Sequence, residues 1–183
     1  MSRTGWFIVG LLIGVVIVVP LGAYLFVTSG GLSMATSAKP LPLEETFAKV
    51  ALRASLGDAA KVKDPVSLDD TNLLAGARVY RKNCAQCHGL PSHQETAIAQ
   101  GEFPPPPQLL EAKQMVTDDP EGVTYWKVSN GIRLTGMPGF EKTLSDTERW
   151  QATMLLAHAD KLPPAVQKAL TQGDTEANVS ALR

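Results

Sequence analysis

Hydrophobic residues are spread unevenly along this chain. From Trp6 to Thr28, twenty-three consecutive residues, WFIVGLLIGVVIVVPLGAYLFVT, carry no charge. A helix of that length reaches roughly 34 Å, enough to cross the hydrocarbon core of a bilayer. The apolar region of a cleaved signal peptide runs to about 15 residues. The stretch is longer, so it reads as an uncleaved anchor, although Ser33-Met34-Ala35 and Thr36-Ser37-Ala38 would pass as cleavage sites. Arg3 precedes it and no charge follows until Lys39, which puts residues 1–5 in the cytoplasm and the remainder outside. Trp6 and Tyr24 sit near its ends, where interfacial aromatics are expected. Gly10 and Gly14 form a G-x-x-x-G face open to packing against another span, and Pro20 is expected to bend the helix without breaking it.

Beyond the span the pattern turns helical and is broken by glycine and proline. Residues 29–69 form a linker, small and proline-bearing up to 42 and charged from 58. Within it the spacing predicts a helix over 43–56, with Phe47, Val50, Ala51 and Ala54 on one face and Gly57 as terminator. That helix is either laid over the globular domain or docked to the membrane surface or a partner. From Asp70 the main domain begins. Thr71 to Asn83 reads as a helix with Leu73, Ala77 and Tyr80 on one face. Gly89 and Pro91 open a long irregular region, in which Pro104 to Pro107 must be an extended wall. Asp119-Pro120-Glu121 predicts a helix start, with Asp119 as cap and Pro120 as first helical residue, running to Asn130-Gly131. A loop through Phe140 follows. Ser145-Asp146-Thr147-Glu148 is a capping box opening a helix to about Ala159 that carries Trp150, Met154 and Ala157. Residues 163–183 read as a polar tail with no more than a turn or two of helix. No segment alternates as a strand would, so the fold class is all-α.

A net charge of −1 leaves no basic footprint for nucleic acid. The only two cysteines fall in Cys84-Ala85-Gln86-Cys87-His88, a C-x-x-C-H pattern read as a c-type haem attachment site. Two thiols three positions apart can add across the two vinyl groups on one porphyrin edge, and the following histidine then lies under the ring to bind the iron. A thioredoxin-like dithiol would need a βαβ pattern, which is absent. A four-ligand zinc site would need a second Cys or His pair, and only His93 and His158 remain. Covalent haem attachment implies export across the inner membrane of a bacterium, in agreement with the charge asymmetry of the span.

Residues about 70–160 resemble the class I monohaem c-type cytochromes. The features that match are Gly76 and Tyr80 on the first helix, Cys84–His88, the Pro107-Gln108-Leu109 step, the Gly136-Met137-Pro138 loop and the closing helix with Trp150. With the anchor, the whole looks like a membrane-tethered cytochrome of bacterial respiratory chains, its haem domain at 70–162 in the periplasm. The resemblance implies one covalent haem c, a first and a last helix that cross at Gly76 with Tyr80 and Trp150 packed nearby, and His88 as proximal ligand. It also implies that the other ring nitrogen of His88 donates to a proline carbonyl, for which Pro107 is the candidate.

Methionine as sixth ligand would raise the reduction potential, as in electron carriers. Met137 is the candidate, 49 residues after His88 and held between a glycine and a proline. Met115 is the runner-up, Met154 reads as core, and Met1 and Met34 precede the domain. His93 lies too near His88 to cross the ring, and His158 reads as a surface residue, which disfavours bis-histidine ligation. With both axial positions filled the expected function is one-electron transfer rather than enzymatic chemistry, by a tethered carrier or a subunit of a larger membrane complex. A quinol-oxidising complex or dehydrogenase is the expected donor, and a terminal oxidase or reductase the acceptor. The alternative is a gas-binding sensor or peroxidase-like enzyme with a labile distal methionine. Arg81, Lys82, Lys113, Lys127, Arg133 and Lys142 could ring the haem edge, but interleaved acids leave no dominant patch.

Overall fold

The computed structural model describes residues 2–91 and 95–172, and among them every regular element is helical. By internal contacts the chain divides into two units, Met1–Lys39 and Pro40–Arg183. The first unit is built on α1 (Arg3–Thr28), which Ser2 caps by accepting from the Gly5 N–H. The helix continues through Pro20, and its apolar side chains are all exposed. Its most apolar stretch has a mean hydropathy of 2.6, which suits a membrane span and equally a signal sequence. Nothing lies within 4 Å of where side chains on Gly10 or Gly14 would project.

The second unit opens with α2 (Glu44–Leu56), one residue inside the expected bounds. Glu44 and Glu45 sit at its positive end and Arg53 in its last turn, as the helix dipole favours. None of its residues is buried, and Phe47 and Val50 are 69% and 58% exposed. The expected apolar stripe therefore forms but is not covered by the rest of the unit.

The remaining helices make the core. α3 (Asp70–Asn83) starts where Asp69 accepts from the Asn72 N–H, and α7 (Asp146–Ala157) starts at Ser145, whose capping box with Glu148 is complete. The two cross where α3 carries Gly76. A β-carbon there would stand 2.2 Å from the Gln151 carbonyl oxygen, so only glycine permits the approach. Leu73, Ala77 and Tyr80 of α3 pack with Leu155 and Leu156 of α7. Trp150 instead stacks on Tyr125 of α6 (Glu121–Asn130), ring centroids 3.9 Å apart.

Two expectations need correction. Asp119 does not cap α6. Pro120 occupies the cap position with extended backbone, and the Asp119 carboxylate pairs with Lys127 at 3.2 Å. The segment after Pro163 is not a tail as far as Gln172. It forms α8 (Pro164–Gln172), whose Val166 and Leu170 are fully buried in the core. Arg81 donates to the carbonyls of Ala169 and Leu170 near the end of α8, satisfying groups that a helix end leaves unpaired. Only two apolar positions four apart are needed to bury this helix, too few to stand out in a polar segment. Residues 173–183 lie outside the described residues. α4 (Ala85–His88) continues from α3, and in the region read as irregular a short α5 (Ala97–Gly101) is capped by Thr96.

Candidate haem site

Cys84 is the residue at which α3 ends, and α4 is the single turn that holds Cys87 and His88. Gly89 closes that turn with φ of +71°. The backbone carbonyls of Cys87, His88 and Gly89 are all engaged. Gln108 Nε2 donates to Cys87 O at 3.1 Å, and the buried Tyr80 hydroxyl donates to His88 O at 3.0 Å and Gly89 O at 2.9 Å. Tyr80, singled out in the sequence as a packing residue, thus also holds the haem-motif backbone.

His88 projects toward the proline wall, and its Nδ1 lies 2.8 Å from the Pro107 carbonyl oxygen. A carbonyl can only accept, so Nδ1 carries the proton and Nε2 keeps its lone pair. Burial lowers the His88 pKa, opposed by the Pro107 hydrogen bond and the nearby Glu102 charge. The ring is thereby kept neutral, as a metal ligand must be.

Cys84, Cys87 and His88 open onto a cleft with about 1080 Å³ of empty space including its mouth. Its walls are largely apolar: the prolines 104–107, Leu109, Val116, Val128, Ile132, Phe140 and Leu156. Burial pushes the Cys84 thiol up to about 12. Burial and then the neighbouring Glu102 raise that of Cys87 to about 11. Both cysteines are free, and Cys87 Sγ donates to Glu102 Oε1 at 3.0 Å. Glu102 lines the same cleft and reaches across to Gly136, where a β-carbon would stand 2.4 Å from Oε2. No sequence signal marked this residue.

Met137 also lines the cleft. Its loop is tied within itself: Ile132 N–H donates to Met137 O, Met137 N–H to Thr135 Oγ1, and Thr135 Oγ1 to Ile132 O at 2.7 Å. The loop's two ends meet where Gly131, at φ +68°, lies against Gly139, a β-carbon there being 2.5 Å from the Gly139 nitrogen. Phe140 and Glu141 N–H groups then donate to the carbonyls of Val128 and Ser129, anchoring the loop to the end of α6. Of the other methionines, Met154 is buried in the core, Met34 is 83% exposed, and Met115 is not among the cleft residues. Met1 and His93 lie outside the described residues. His158, expected at the surface, is half-buried at the end of α7 with Nδ1 2.9 Å from Met154 O.

The donor set fits a covalently attached haem: two free thiols at the cleft edge, an imidazole whose Nε2 has no partner among the described residues, a thioether, and apolar walls. Residues 71–154 match the family model described as cytochrome C oxidase, cbb3-type, subunit III. No curated protein matches the chain. Helical architecture, haem motif and family match agree that residues 71–154 form a class I c-type cytochrome domain, a domain of haem-based electron transfer.

Proposed function

We propose that the chain is a membrane-tethered one-electron carrier, or an electron-transfer subunit of a respiratory complex, with a single haem c. Cys84 and Cys87 would hold it through thioether bonds, and His88 Nε2 and Met137 Sδ would bind its iron. When bound, the haem supplies reversible one-electron chemistry at its iron. The protein's part is to set how readily that happens. The Pro107 carbonyl orients His88 and raises its basicity. The apolar walls keep water from the iron, and the tied loop presents a soft sulfur donor that favours the reduced state. With His88 and Met137 both bound to the iron, no coordination position would be left for a substrate, which separates this reading from an enzyme or gas sensor.

The observation that carries the proposal is the His88–Pro107 bond facing a cleft that Met137 also lines. Arg3 before α1 and the absence of charge until Lys39 support an anchor in the bacterial inner membrane with the haem domain in the periplasm. Tethering raises the effective concentration of redox partners in the same membrane. A quinol-oxidising complex or dehydrogenase would donate, and a terminal oxidase or reductase would accept. The test is the optical spectrum of the ferric full-length protein. A weak sulfur-to-iron charge-transfer band that is lost in Met137→Ala is expected. Its absence from the native protein would overturn the axial assignment and the simple carrier with it.

A further inference from the structure

Gln108 sits beside the iron-ligand machinery without belonging to it. It is only 7% exposed, unusual for an amide side chain. Nε2 donates to Cys87 O at 3.1 Å and, at 3.4 Å, to Pro106 O. Its own N–H donates to Gln114 Oε1 at 2.7 Å. Its Oε1 occupies the space over Gly89, where a β-carbon would be 2.1 Å away. Residue 107 offers its carbonyl to the His88 ring, while residue 108 holds the backbone of residue 87. The proline wall and the haem-motif turn are thus clasped twice, through adjacent residues on each side.

We propose that Gln108 is a positioning residue, whose buried amide holds the proline wall against the haem-motif turn and so sets the hydrogen bond between His88 Nδ1–H and the Pro107 carbonyl. The inference rests on His88 being the proximal ligand. That bond places electron density on the imidazole and stabilises ferric iron. Its length is therefore a lever on the potential. Proline has no N–H and no side-chain donor, so the prolines of the wall can only accept from the turn. Gln108 supplies the missing donor and, being buried, leaves Cys87 O unpaired if removed.

The experiment uses the full-length, haem-loaded protein in detergent. Two quantities are measured: hydrogen exchange of the His88 Nδ1 proton by NMR in the ferrous state, and the reduction potential. Gln108→Ala removes the amide. Gln108→Met keeps the reach and bulk but has no donor for the Cys87 carbonyl. Leu170→Ala, in the core away from the cleft, is a control for lost stability alone. In both Gln108 variants the proton is expected to exchange about tenfold faster, with the potential raised. Leu170→Ala should lower stability and move neither. Unchanged exchange and potential in the Gln108 variants would overturn the proposal. So would loss of haem from both, which would make the residue purely structural. The ferric charge-transfer band is read on the same samples. Its absence from the native protein would fail the axial assignment instead, a separate outcome.

Discussion

The two sides of the haem cleft are held by different means. On the His88 side the bonds come from outside the turn: Tyr80 reaches across from α3, and Pro107 and Gln108 reach back from the proline wall. On the Met137 side they are local, made within residues 131–141 or to the preceding helix end. A turn clasped from two separate elements can move only if both let go. A loop closed on itself can leave as a unit. The position of His88 is therefore over-determined, while that of Met137 depends on a loop whose release need not unfold the core. The distal loop also carries Leu134 at φ +64°, 87% exposed, a conformation unfavourable for a side chain of that size.

Four perturbations test this contrast. Gly76→Ala attacks the frame shared by both sides, because the new methyl would stand 2.2 Å from the Gln151 carbonyl oxygen. A loss of about 3 kcal/mol in denaturant unfolding is expected, at the upper end for overpacking, with both ligand sites affected together. Tyr80→Phe touches the proximal side alone and leaves two carbonyls without their donor. It should cost about 2 kcal/mol, and the charge-transfer band should persist until the whole domain unfolds. Thr135→Ala removes the clip inside the distal loop. Its cost should be about 1 kcal/mol, but here the band should disappear at lower denaturant than helical circular dichroism. Coincident loss of both signals would show that the loop is not an independent unit. Leu134→Asn should stabilise by about 0.5 kcal/mol, because asparagine tolerates the left-handed region better. A fall in melting temperature would mean that the exposed leucine makes contacts that favour it.

Much of the candidate site was legible because its chemistry is written in contiguous residues. Cys84, Cys87 and His88 need only one helical turn to face the same way, and that turn is encoded by their spacing. Met137 was legible for a related reason: glycine and proline on either side mark a tight loop whatever surrounds it. Asp119 was misassigned because two roles were open to its carboxylate, and the position of Lys127 on the next two turns of helix decided between them. Glu102 had no pattern around it at all. It enters the cleft because the chain after α5 passes between the haem motif and the Met137 loop.

By itself, then, the sequence determined the apolar span, the helical periodicity, the haem motif and the tight loop around Met137, all of which depend on neighbours within a turn or a short loop. Tertiary structure decided what depends on distant partners. α8 is part of the core because Val166 and Leu170 find Tyr80 and Leu155 there. Tyr80 is a hydrogen-bond donor because the turn it reaches folds back over α3. Pro107 rather than a neighbouring proline faces His88, since in an extended run successive carbonyls point in different directions and only packing selects the one that meets the ring.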